Sequence, residues 1–131
     1  MISTAHPAAS WFLLVSGAGF LIIYGLPLML FPLRWARWFR WAVPGETALT
    51  VYLGRCVGVL AVAIIIVCLR AVPQPERFPE LFELIAWIGG LMTGLHIYGA
   101  VQRVQPWTET AEIVVYAALG ILAVWLRSGL G

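Results

Sequence analysis

Lysine and aspartate are missing from this 131-residue chain: all eight basic residues are Arg and all six acids are Glu. Without a lysine amine the chain forms no Schiff base of its own, which excludes retinal- and pyridoxal-type covalent chemistry. Charge is scarce as well as narrow in kind. Charged residues make up 11% of the sequence, and residues 1–33 carry none, against about 25% in an ordinary soluble domain. A formal charge of +2, carried by arginines beside apolar runs, is too small for a nucleic-acid surface. Cysteine is rare too. Cys56 and Cys68 are the two, and a helix would set them ~18 Å apart, too far to bridge. Neither belongs to a CxxC or CxxCH pattern, so both read as buried thiols rather than redox groups.

Catalytic signatures are also missing. There is no Ser/His/acid arrangement, no glycine-rich phosphate loop and no pair of carboxylates at catalytic depth. No single segment holds His, Cys and Glu at metal-ligand spacing, so no metal centre is expected. His6 in the N-terminal tail and His96 are the two histidines, and a bis-histidine haem would need a homodimer. The sequence therefore leans against an enzyme without deciding the point, and no cofactor is expected unless a quinone or lipid is bound.

What is present is hydrophobicity, at 62% of the residues. A hydrocarbon core about 30 Å thick takes roughly 20 apolar residues per helix, and four such segments occur, at about 9–31, 47–69, 80–101 and 108–126. The expected fold is all-α and integral to a membrane: one four-transmembrane-helix bundle spanning residues 1–131. The first apolar run lacks the arginine-bearing start of a secretory signal and outlasts a usual signal core, so it reads as a retained helix. Charge placement supports the division. Arg34, Arg70, Arg103 and Arg127 follow the segments, while Glu46, Glu80, Glu83, Glu109 and Glu112 lie near helix starts, as the helix dipole favours. Glu80 and Glu83 read as such helix-start acids near Arg70 and Arg77.

Between the first two segments, Arg34, Arg37 and Arg40 alternate with Trp35, Trp38 and Trp41. Adjacent stripes of that kind suit a short interfacial Arg/Trp segment at the headgroups, with Trp107 joining the same aromatic belt. The density of arginine there places that side in the cytoplasm and both termini outside, in a bacterial inner membrane. Gly54 and Gly58, with Gly90 and Gly94, repeat the GxxxG spacing and predict that the second and third helices make the central contact.

Arg55 breaks the charge pattern by lying within an apolar segment, where a central charge costs ~2.5–3.5 kcal/mol. Counting 1.5 Å per residue from the Arg/Trp side puts Arg55 ~12 Å deep, His96 ~8 Å and Glu112 ~6 Å. Glu112 or Glu109 is the natural carboxylate for Arg55, with Tyr52 and Tyr116 each a turn away. Two readings compete for this set. In the first, an Arg55–Glu112 pair fixes helix register and His96 is a satisfied packing residue. In the second, the set lines a cavity that takes the polar head of a quinone or lipid.

The run Gly25–Pro32 (GLPLMLFP) followed by Arg55–Gly58 (RCVG) resembles small four-helix bacterial membrane proteins of the DoxX-like type. The likeness covers about the first seventy residues. It implies a four-helix fold and a redox-linked accessory role, and it assigns no site residue. The function expected from the sequence is a non-catalytic accessory or scaffold subunit. Its expected partners are lipids together with other membrane subunits or copies of itself. A quinone- or lipid-binding module comes second, and an oligomeric proton-coupled transporter third.

Overall fold

The computed structural model describes residues 1–130. It is 80% helical, without a strand among the described residues. Four helices are long and apolar enough to cross a membrane: α1 (Pro7–Leu30), α3 (Ala48–Ala71), α4 (Pro79–Gln102) and α5 (Trp107–Ser128). Between the first two lies the short α2 (Pro32–Trp38), and a 3₁₀ turn at Pro75–Arg77 precedes α4. The ends of the long helices lie within two residues of the apolar segments in the sequence. Proline sets most of the starts. Pro7, Pro32 and Pro79 occupy first-turn positions, where the missing N–H is no loss and φ is already helical.

Pro27 lies inside α1 instead, and there it has a structural cost. Its ring crowds the carbonyl of Ile23, four residues back, and it has no N–H to offer that oxygen. The helix responds by widening: Leu21–Gly25 forms a π turn in which the Leu26 N–H bonds the Leu21 carbonyl. The released Ile23 carbonyl then accepts a hydrogen bond from Trp35 Nε1 at 2.8 Å. Trp35 therefore satisfies a backbone group that proline orphaned, besides standing near the expected interface. Its indole also docks α2 against α1.

The chain packs as two helical hairpins, α1 with α3 and α4 with α5, the second pairing being the more extensive. The expected central contact between α3 and α4 does not form. Gly58 faces α1 instead, where a Cβ would overlap the Leu28–Met29 backbone, and Gly54 faces Pro32 at the start of α2. In α4 the close approach is made by Gly89, whose Cβ would stand 2.7 Å from the Gly120 Cα of α5, while Gly90 and Gly94 face open space. The short 103–106 turn pairs α4 with α5, whereas α1 and α3 pair across the longer segment that carries α2.

All four long helices meet in an apolar cluster near the termini, built around Leu13, Cys68, Phe82, Ile85 and Leu126. Ser10 ties that end together: its hydroxyl donates to the Val72 carbonyl at 2.6 Å and accepts from the Ser3 N–H at 3.0 Å. Cys56 and Cys68 are both free thiols. Glu83 pairs with Arg127 at 3.0 Å rather than with Arg70 or Arg77. Both of its partners are half exposed, so the pair adds little to stability.

Candidate functional site

The buried face of α5 runs Glu109, Glu112, Tyr116, Gly120, Ala123, Leu126. Spacings of three and four residues keep these on one helical stripe, so the stripe that seals the apolar cluster at one end carries two carboxylates at the other. On α4, the corresponding face runs Phe82, Ile85, Gly89, His96, Gly99. Pairing the two helices along these stripes brings His96 opposite Glu109 and Glu112. The three residues are 3%, 8% and 6% exposed, which puts three titratable groups in one desolvated space.

The turn between the helices holds this register. Arg103 closes α4 in the left-handed region at φ 56°, with the Val104 N–H reaching back to the Gly99 carbonyl, the bond of a Schellman motif. Gln105 then folds over α4, its amide donating to the His96 carbonyl at 2.9 Å. Only glycine at 99 leaves room for that side chain. Arg40, at φ 63°, ends α2 in the same way, with the Trp41 N–H on the Ala36 carbonyl. The resulting bend aims the Trp41 indole at the site, where Nε1 donates to Glu109 Oε1 at 2.8 Å. Thr108 fastens the same segment by donating to the Phe39 carbonyl at 2.6 Å, and the Arg40 guanidinium lies 5.7 Å from the Trp107 ring centre.

Hydrogen bonding fixes the histidine tautomer. His96 Nδ1 is 2.7 Å from the Met92 carbonyl, an oxygen that can only accept, so Nδ1 carries a hydrogen. Nε2 therefore points into the cluster, 3.1 Å from Glu109 Oε2 and 3.6 Å from Glu112 Oε2. If the imidazole is neutral, its lone pair faces two carboxylate oxygens with nothing positive between them. That arrangement requires a proton or another cation. Glu112 Oε1, also buried, has no hydrogen-bond partner. The Tyr116 ring packs 5.1 Å from the imidazole. Phe20, Tyr24, Trp35 and Phe39 continue an aromatic wall on the α1–α2 side.

The structure thus gathers His96, Glu109, Glu112 and Tyr116 from the residues singled out in the sequence, and leaves two outside. Arg55 is exposed on the outer surface of α3 and makes no ion pair among the described residues. The expected Arg55–Glu112 pair is therefore corrected to His96 with both glutamates. The reason is rotational: Gly54, one residue earlier, is the position that faces Pro32 at the start of α2, and one residue turns a helix by ~100°. Tyr52 is 65% exposed, on the same outer surface. Trp41 belongs to the site although its position in the Arg/Trp stripe marked it only as interfacial. Of the other interfacial residues, Trp38 and Trp107 are exposed, as are Arg34, Arg37 and Arg40. Metal-ligand spacing within one segment could not reveal the cluster, because His96 and Glu109 lie on either side of the turn. No protein-family model, curated protein or solved structure matches the chain.

Proposed function

We propose that this chain is a multi-pass membrane protein that holds a cation, a proton or a metal ion, among His96, Glu109 and Glu112. One observation carries the reading: His96 Nδ1–H is committed to the Met92 carbonyl, so the Nε2 lone pair and two carboxylates share one buried space. Burying two carboxylates without a compensating charge is too costly to persist. The four helices lie across a bacterial inner membrane, with the Arg/Trp end in the cytoplasm, which puts the site close to the cytoplasmic headgroups.

Nitrogen-15 NMR of histidine-labelled protein in nanodiscs, with metals chelated, tests the reading. His96 is expected to show a proton on Nε2, or one shared between Nε2 and a carboxyl. In the E109Q/E112Q double variant, Nε2 is expected to become a plain acceptor from an amide N–H. A wild-type spectrum with bare Nε2 beside two ionised carboxylates would overturn it.

A second reading, that of an accessory subunit, is favoured by a different observation. Gly90 presents open space on the outer face of α4, in a shallow groove of about 610 Å³ shared with Ala117, Ile121 and Trp125 of α5. Small residues in such a groove suit the close approach of another membrane helix. Copurification of a partner subunit in mild detergent, lost on Gly90→Leu with the fold intact, supports this role. A partner that stays bound to that variant removes it.

A further inference from the structure

We infer that the cation held by His96, Glu109 and Glu112 is a divalent transition metal, with zinc, manganese and ferrous iron as the class the ligands suit. The inference rests on the cation-site reading above and deepens it.

Geometry is the first argument. One ligand atom from each residue can be chosen so that all three lie within 4.8 Å of one another. Ligand bonds of ~2.0–2.2 Å give a tetrahedral edge of about 3.3–3.6 Å. The Nε2 separations from the two carboxylate oxygens, 3.1 and 3.6 Å, fall at or close to that range. Closing the separation between the two carboxylate oxygens, which lies within 4.8 Å, would complete three corners around one ion.

Charge is the second. Two carboxylates and a neutral imidazole total −2, which a divalent ion cancels and a single proton does not. No arginine pairs with either carboxylate among the described residues, so no guanidinium offsets their charge.

Preparation of the ligands is the third. A metal-binding histidine usually donates its other ring N–H to a carbonyl or carboxylate, which orients the ring, and a ligating carboxylate is itself hydrogen-bonded. His96 does the first through Met92 and Glu109 the second through Trp41. Glu112 Oε1, buried and without a partner, is free to turn the carboxylate to a bidentate mode. The set has one nitrogen, carboxylate oxygens and no thiolate, which suits borderline divalent ions and disfavours cuprous copper. Three protein ligands leave a fourth position open, as in metal sites that bind a further molecule.

The test is titration of the chelator-treated, full-length protein in detergent with Zn²⁺ by calorimetry and with Co²⁺ by visible absorption. One ion per chain is expected, with the Co²⁺ spectrum of a tetrahedral nitrogen–oxygen site and no thiolate charge-transfer band. His96→Gln and Glu112→Gln are expected to abolish binding, and Trp41→Phe to weaken it about tenfold, as loss of an outer hydrogen-bond partner does. His6→Ala and the Cys56→Ala/Cys68→Ala pair are expected to leave it unchanged. Should the site variants fail to fold, the wild-type Co²⁺ spectrum still decides, since an octahedral or thiolate-ligated spectrum overturns the assignment. Absence of saturable binding, with the NMR still showing a proton at His96 Nε2, removes the metal and leaves a proton site. Absence of both removes the cation reading as well.

Discussion

At the level of single residues, the cluster is a balance that one change upsets. His96→Ala would leave Glu109 and Glu112 confronting each other without the ring nitrogen that helps hold a cation between them. Removing one member of a buried charged set costs about 3–5 kcal/mol, so a large drop in thermal stability in detergent is expected. Adding Glu109→Gln and Glu112→Gln to His96→Ala is expected to recover much of that loss, because the repulsion then disappears. Equal instability in the triple variant would show that packing, not charge, sets the cost. Arg40 gives a second prediction. It holds a left-handed backbone at φ 63°, a conformation that costs an ordinary L-residue ~1–2 kcal/mol. Arg40→Gly relieves this strain and gives up the Trp107 stacking, for a net change in unfolding free energy near zero. Arg40→Val keeps the strain, adds a branched Cβ, and is expected to destabilise by about 1–2 kcal/mol.

Secondary-structure elements here are shaped by compensating irregularities. Pro27 breaks the hydrogen-bond ladder of α1, and Trp35 repairs it from α2. The two residues should therefore be coupled. Trp35→Phe is expected to destabilise the wild type more than it does a Pro27→Ala background, where the backbone N–H at 27 recaptures the Ile23 carbonyl. A double-mutant cycle should show a coupling of about 0.5–1.5 kcal/mol, and additivity would refute the repair. The glycines of α4 divide in the same physical terms. Gly89→Ala places a methyl against the Gly120 backbone, which cannot move aside as a side chain would, at about 1–3 kcal/mol. Gly90→Ala enters open space and should be tolerated, so unfolding of the two variants side by side checks the helix pairing directly.

Across the whole molecule, polarity is segregated along the bundle. The apolar cluster that joins all four long helices lies by the termini, and the ionisable cluster lies at the Arg/Trp end. The two terminal segments stand together, Ala5 and His6 lining one hollow with Trp125 and Leu130. Single cysteines placed at Thr4 and at Ser128, in a Cys56→Ala/Cys68→Ala background, are therefore expected to react with an impermeant maleimide from the same side of a sealed vesicle. One at Val104 is expected to react from the other side. Labelling of Thr4 and Val104 from one side would exclude the four-span arrangement. Between the hairpins, Gly17, Phe20, Ile65, Cys68 and Leu119 border a small apolar hollow of about 140 Å³.

The sequence by itself determined the helices, their ends and the distance of each residue along them. Apolar run length, proline placement and the dipole preferences of Arg and Glu act within single segments, so no tertiary knowledge is needed to read them. Depth along the helices groups Arg55, His96 and Glu112, and of these His96 and Glu112 lie together in the structure, joined by Glu109. Rotation about each helix axis and the choice of neighbour were decided only in three dimensions. Arg55 shares the level of the cluster along the helix yet faces outward, since a turn of ~100° per residue separates it from Gly54, which packs on Pro32. The same rule left the open glycines Gly90 and Gly94 without the partner their spacing suggested, and gave the contact to Gly89. Trp41 reached Glu109 through a left-handed turn at an arginine, a conformation with no signature in residue type. Hydrophobicity fixes how deep a side chain lies; the packing of one helix on another decides what it touches.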